Sequence, residues 1–221
     1  IRMKLSRYTT GFTGMPIRIS YTFSSTNSKT GDVIQQWITP KAWEGDRSKQ
    51  IDVKKSEEVC SDCPLLSSCY VKKGMASMGL KSTSKSTNHT VGCEKKNLDL
   101  FKDKFVRFGA FGEPVLSGKD VVKSISEVAK SWTGYTHRWR DLKFHWSNKY
   151  FMASVEDVKG KREANALGYR TFRVGSSVED KLPDEVLCPA SKEAGRKVTC
   201  AKCKLCKGNT SKAKNIFIVK H

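Results

Sequence analysis

Four thiols fall within nineteen residues near the end of this 221-residue chain, at Cys188, Cys200, Cys203 and Cys206. Three of them follow the pattern Cys-x2-Cys-x2-Cys. A fully extended backbone carries two thiols at this spacing too far apart for one centre, whereas a tight turn brings them together, so the run suits a single metal or cluster. A second set lies upstream at Cys60, Cys63 and Cys69. Only Cys93 stands outside both sets, and it reads as a free or buried thiol. Pro64 follows Cys63 and Pro189 follows Cys188, as prolines do where a chain turns around an iron–sulfur cluster.

Eight cysteines can also make four disulfides. Two features oppose this. Cys-x2-Cys pairs seldom form structural disulfides, and a chain of this length needs no covalent staples. The first residues, Ile1-Arg-Met-Lys-Leu-Ser, have no apolar signal-peptide core. They also lack an initiating Met, which reads as a processed or truncated product. The expectation is a reducing compartment, the cytoplasm. No run of about 18 apolar residues is present, so no membrane partner is expected.

The charge balance is 41 Lys and Arg against 22 Asp and Glu, a formal +19. From Cys188 to His221 nine basic residues face one acid, Glu193. Such a surface favours polyanions, either nucleic acid or an acidic protein. Part of it offsets metal-bound thiolates, since four thiolates on Zn²⁺ or an oxidised [4Fe–4S] core leave about −2 per site.

The apolar pattern divides the chain into three segments. Residues 1–59 hold a strand hairpin, Ile17–Phe23 and Val33–Ile38 around a polar turn, followed by a charged connector. Residues 60–187 carry the first cysteine set and then alternate strands with helices. A strand running into a loop is expected over 105–116, further strands at 134–139, 150–155 and 169–174, and helices at 117–132 and 156–167. Ser117 is the expected N-cap of the first helix. Residues 188–221 carry the second cysteine set and a last strand at 216–219. Alternating strands and helices indicate an α/β fold with a mostly parallel sheet. The 118 residues between Cys69 and Cys188 have room for about four βα units at about 30 residues each, so a partial (β/α) barrel or an open sheet is expected. Ligands of such sheets lie at the C-terminal strand edges. The turn Gly112-Glu113-Pro114 falls on that edge. Gly112 allows close backbone approach to a ligand, and Glu113 is a candidate ligand-binding carboxylate.

His137, Trp139, His145 and Trp146 sit among Arg and Lys residues, either as a base-stacking patch or as core aromatics within a solvated basic surface. Glu156 and Asp157 read as acids at a helix N-terminus.

A three-cysteine motif, a strand ending Gly112-Glu113-Pro114, βα repeats and a C-terminal cysteine cluster together resemble the radical S-adenosylmethionine enzymes. More narrowly, residues 55–206 are similar to compact radical-SAM-like iron–sulfur proteins encoded by bacteriophages. The resemblance implies a [4Fe–4S] cluster on Cys60, Cys63 and Cys69 with one iron open to S-adenosylmethionine. It implies that Gly112 and Glu113 contact the amine of that ligand, and that Cys188, Cys200, Cys203 and Cys206 hold an auxiliary cluster. It also implies a redox or radical role in phage infection, in host cytoplasm. The family spacing is Cys-x3-Cys-x2-Cys, whereas this chain has Cys-x2-Cys-x5-Cys, and Phe111 replaces the first Gly of the family's Gly-Gly-Glu. From the residues alone, a zinc-containing, basic nucleic-acid-binding protein stands as the alternative. The first set has three ligands, with Cys93, a histidine or a member of the other set as a possible fourth.

Overall fold

The computed structural model describes residues 4–25, 28–46, 56–69, 71, 74–210 and 213–220. Eleven strands among them form two sheets. The first has the order β4-β1-β2-β3-β5-β6, comprising β1 (Lys4–Thr10), β2 (Pro16–Thr22), β3 (Ile34–Pro40), β4 (Thr90–Val91), β5 (Phe105–Phe111) and β6 (Ser131–Thr133). The second has the order β10-β11-β9-β8-β7, comprising β7 (Tyr135–Thr136), β8 (Met152–Val155), β9 (Thr171–Gly175), β10 (Glu185–Leu187) and β11 (Asn215–Val219).

Only the pairings β1–β2 and β2–β3 are antiparallel, and the others run parallel. The fold is therefore mixed α/β with a mostly parallel sheet arrangement. Gly134 alone separates β6 from β7, and the chain passes there from one sheet to the other. A Cβ at Gly134 would stand 2.5 Å from the Phe151 ring, so the crossing needs a glycine. Among the described residues, the end strands β4 and β10 do not pair with each other, and the sheets stay open.

The expected hairpin is β2–β3. Ile17, Ile19 and Tyr21 of β2 are fully buried, but so are the alternate residues Arg18 and Ser20. The reason lies in α2 (Gly74–Ser84), whose last carbonyls lack intrahelical partners. The Arg18 guanidinium donates to Thr83 O, Ser84 O and Ser86 O at 2.5–2.7 Å, which lets an arginine occupy a central strand. The polar stretch 81–90 includes the end of α2 and the start of β4.

The N-terminal hairpin is not a separate unit. β3 pairs in parallel with β5, so residues 34–40 and 105–111 share one sheet. The expected helix at 117–132 is shorter. α3 spans Lys119–Val128, and Trp132 belongs to β6, where its indole donates to Tyr150 O at 2.9 Å. Ser117 does not cap α3, because its hydroxyl accepts from Gln36 Nε2 at 2.9 Å, and Gly118 takes the N-cap position. The expected strand at 134–139 stops at Thr136. Trp139 turns inward and donates to Ser154 O.

The helix after β8, α4 (Val158–Ala166), is capped by Asp157, which accepts from Gly160 N at 2.6 Å. Trp139, Ala153, Val155, Ala164 and Tyr169 form the core under α4. The opposite face of the second sheet buries Met152, Ile216 and Ile218 together with Cys188. The largest core lies in the first sheet and includes Ile38, Phe108, Val122, Ile125 and Cys60. The two thiol sets therefore join different cores.

Two candidate metal centres

The first centre begins with α1 (Glu57–Cys60), a single helical turn. Ser61 follows at φ 48°, an uncommon conformation for a residue with a side chain. It turns the chain sharply, and Cys63 N donates back to Cys60 O at 3.2 Å. Further turns at Cys63–Leu66 and Leu66–Cys69 coil the loop. Cys60 is buried, and burial pushes its thiol up to about 12. Cys63, Glu113 and Cys69 lie close enough to raise it further.

The loop is fixed to the strand ends by Glu113 N, which donates to Val59 O at 2.8 Å. Glu113 thus lies beside the first thiol set, on the C-terminal edge of β5. Its carboxylate is buried and occupied. Oε2 accepts from Thr136 Oγ1 at 2.7 Å, and Oε1 accepts from His137 N at 2.9 Å and stands 3.3 Å from His137 Nδ1. This carboxylate, the candidate ligand-binding group, is hydrogen-bonded to the turn after β7.

Gly112 lies against β3. At φ 78°, a Cβ there would come within 2.6 Å of Ile38 O, so the space kept free by this glycine is filled by the β3 backbone.

His137 follows the end of β7 and Glu156 follows the end of β8. The imidazole lies between them, with Nε2 3.4 Å from Glu156 Oε1, and Cys63 Sγ is 3.6 Å from Nδ1 and 3.9 Å from Nε2. Burial opposes a charge on the ring, but contacts with Cys63, Glu113 and Glu156 outweigh it and hold the pKa well above 6.5. Sequence reasoning put His137 inside a strand and gave Glu156 only a helix-terminal role. The rule that sites gather at C-terminal strand edges would have found both, had the ends of β7 and β8 been placed correctly.

The second centre lies at the other end of β5. Cys188, Cys200, Cys203 and Cys206 line one pocket, together with Phe105, the first residue of β5, and Tyr135. Seven residues of strand span about 20 Å, which separates Phe105 from the Gly112–Glu113 turn.

Cys200 and Cys203 stand at opposite ends of α5 (Cys200–Cys203), three residues apart and so on one helical face. Lys204 follows in the left-handed conformation and turns the chain toward Cys206. The α5 turn docks on the β2–β3 loop, with Cys200 N and Ala201 N donating to Lys29 O and Thr30 O at 3.1 Å. Arg170 holds the far side by donating to Leu205 O, Gly208 O and Lys214 O.

Burial raises the Cys188 and Cys200 thiols and pushes Cys206 up to about 12. Lys29 and Arg107 act in the opposite direction on Cys200. Burial also holds the Tyr135 phenol well above 10.0.

None of the eight cysteines forms a disulfide, and Cys93 is exposed. Among the described residues, no group of three or more His, Cys, Asp or Glu side chains is placed to hold a metal ion. Trp139 is buried, and Trp146 is partly buried and packs against Tyr150 and Phe151. No helix among the described residues is long and apolar enough to cross a membrane. The chain matches no family model, no curated protein and no solved structure.

Proposed function

We propose that this chain is an iron–sulfur protein whose [4Fe–4S]-type cluster is held by Cys188, Cys200, Cys203 and Cys206. One observation carries the reading: these four thiols line a single pocket, walled by Phe105 and Tyr135. The donor set fits the group. Thiols in an apolar pocket are stable only as the neutral form, and a thiophilic centre that displaces their protons removes that penalty. Lys29, Arg107 and Arg170 lie near the thiols and offset the roughly −2 charge of an oxidised cluster with four thiolates. When bound, such a cluster supplies reversible one-electron transfer. The chain contributes the thiolates, the dry wall that sets the surrounding dielectric, and the Tyr135 hydroxyl, which hydrogen-bonds Cys206.

Four thiols in one pocket also satisfy structural zinc. In that reading the +19 charge becomes the main functional feature, with electrostatic nucleic-acid binding that weakens steeply with salt.

The test is anaerobic reconstitution with iron and sulfide of the native chain and of Cys200→Ser, Cys203→Ser and Cys206→Ser. The cluster reading expects broad visible absorption in the native chain, lost with a lowered Tm in each variant. Full iron content and unchanged melting in all three variants would overturn it, and a colourless native protein holding one tightly bound zinc in this pocket would establish the alternative.

A further inference from the structure

We infer that His137 is the fourth donor of the first thiol set, and that Cys60, Cys63, Cys69 and His137 form a Cys3His site for a single thiophilic metal ion. The inference concerns the thiol set that the cluster reading leaves unassigned, and it stands apart from that reading.

The first argument is distance. A metal bound at about 2.3 Å to sulfur and about 2.05 Å to nitrogen with tetrahedral angles holds those two donors about 3.6 Å apart. Cys63 Sγ lies 3.9 Å from His137 Nε2, about 0.3 Å beyond that span, and 3.6 Å from Nδ1, the nitrogen that faces Glu113. Ligands on different irons of a cubane cluster diverge and stand much further apart. The observed separation suits one shared ion.

The second argument is support. Histidine ligands of metals keep their other ring N–H on a carboxylate or carbonyl, which fixes the tautomer and orients the ring. Glu113 provides this. It is itself fixed by Thr136 and the His137 backbone, and its Oε1 faces Nδ1. Nε2 is then the donor. Its present neighbour Glu156 is only partly buried and free to turn to solvent when the ion binds.

The third argument is the thiols. Successive turns, Cys63 N to Cys60 O, Leu66 N to Cys63 O and Cys69 N to Leu66 O, coil the three thiols onto one loop, which Glu113 N holds at Val59 O. Binding a divalent ion would release the thiol protons and the His137 Nε2 proton to solvent, while His137 keeps its Nδ1 proton on Glu113. A closed four-donor set also leaves no vacant coordination position for an amino-acid ligand.

The test uses the full chain, loaded with ¹¹³Cd²⁺ and labelled with ¹⁵N-histidine. Among the described histidines only His137 faces a thiol; His89 lies against Glu44, and His145 against Tyr169. A cadmium resonance that is split by histidine nitrogen and lost in Cys63→Ser therefore reports this site. One split resonance is expected, absent in Cys63→Ser. His137→Asn should lose the splitting and at least tenfold in cadmium affinity. His137→Cys should bind cadmium without splitting and shift the resonance toward four-thiolate values. Glu113→Gln should keep the splitting and weaken binding 10- to 100-fold. A cadmium spectrum with no histidine splitting would overturn the assignment, as would His137→Asn binding within threefold of the native chain. Iron and sulfide measured on parallel reconstituted samples separate this result from the fate of the cluster reading.

Discussion

Replacing Glu113 by Ala removes the one carboxylate that ties β5 to the turn after β7. In the structure that carboxylate is 4% exposed and accepts from the Thr136 hydroxyl at 2.7 Å and the His137 N–H at 2.9 Å. Hydrogen bonds to a charged acceptor contribute about 1.5–3 kcal/mol each, and a buried donor left without a partner costs about 1–3 kcal/mol. The carboxylate's own desolvation cost offsets part of this. The net loss expected is about 3 kcal/mol, a large share of the 5–15 kcal/mol typical of a folded domain. Urea unfolding of the chelator-treated, reduced protein, followed by tryptophan fluorescence, isolates this effect from any metal. Asp120→Ala on the exposed surface of α3 is the control, expected to change stability by less than about 0.5 kcal/mol. A loss below about 1 kcal/mol for Glu113→Ala would refute the claim that Glu113 organises the strand edge.

Gly112→Ala should destabilise the fold by more than about 2 kcal/mol, because the φ of 78° already disfavours a side chain and the new Cβ meets Ile38 O at 2.6 Å. A thermal melt unchanged from native would contradict it. Arg173 and Glu185 form a buried pair at 2.7 Å, so Glu185→Ala should cost about 3–5 kcal/mol by leaving the guanidinium charge uncompensated, whereas Arg173→Met with Glu185→Leu should recover most of it in denaturant titrations. The metal-free protein should lose stability as pH rises. The folded thiols of Cys60 and Cys206 stand at about 12 against 9.0 in a free thiol, so their contribution is complete below pH 9 and disappears between pH 9 and 12. Urea midpoints under reductant at pH 8 and pH 10.5 check this, and equal midpoints would contradict it.

The parts of the fold carried by local pattern were legible in the sequence. The alternation through Ile17, Ile19 and Tyr21 gave β2, and the helical spacing of Val121, Ile125 and Val128 gave α3. The α/β rhythm after Phe105 gave a mostly parallel sheet. What the sequence hid was set by tertiary partners. Arg18 reads as an outward strand residue until the carbonyls of α2 arrive over it. Ser117 reads as an N-cap until Gln36, 81 residues earlier, takes its hydroxyl. Trp132 continues the helical spacing of α3, but the chain extends after Val128 and pairs with β5. At the sites, cysteine spacing announced both thiol sets because a turn of two intervening residues is a local property. His137 and Glu156 carried no such spacing. They meet Cys63 and Glu113 only because three strands end on the same edge.

The most direct test of the cluster reading is a quantitative determination of iron, acid-labile sulfide and zinc on protein purified without oxygen. Four irons and four sulfides per chain are predicted for the pocket of Cys188, Cys200, Cys203 and Cys206. That iron should be lost in Cys203→Ser and kept in Cys63→Ser. Iron and sulfide below about 0.2 per chain after reconstitution, with zinc in that pocket instead, would contradict the account.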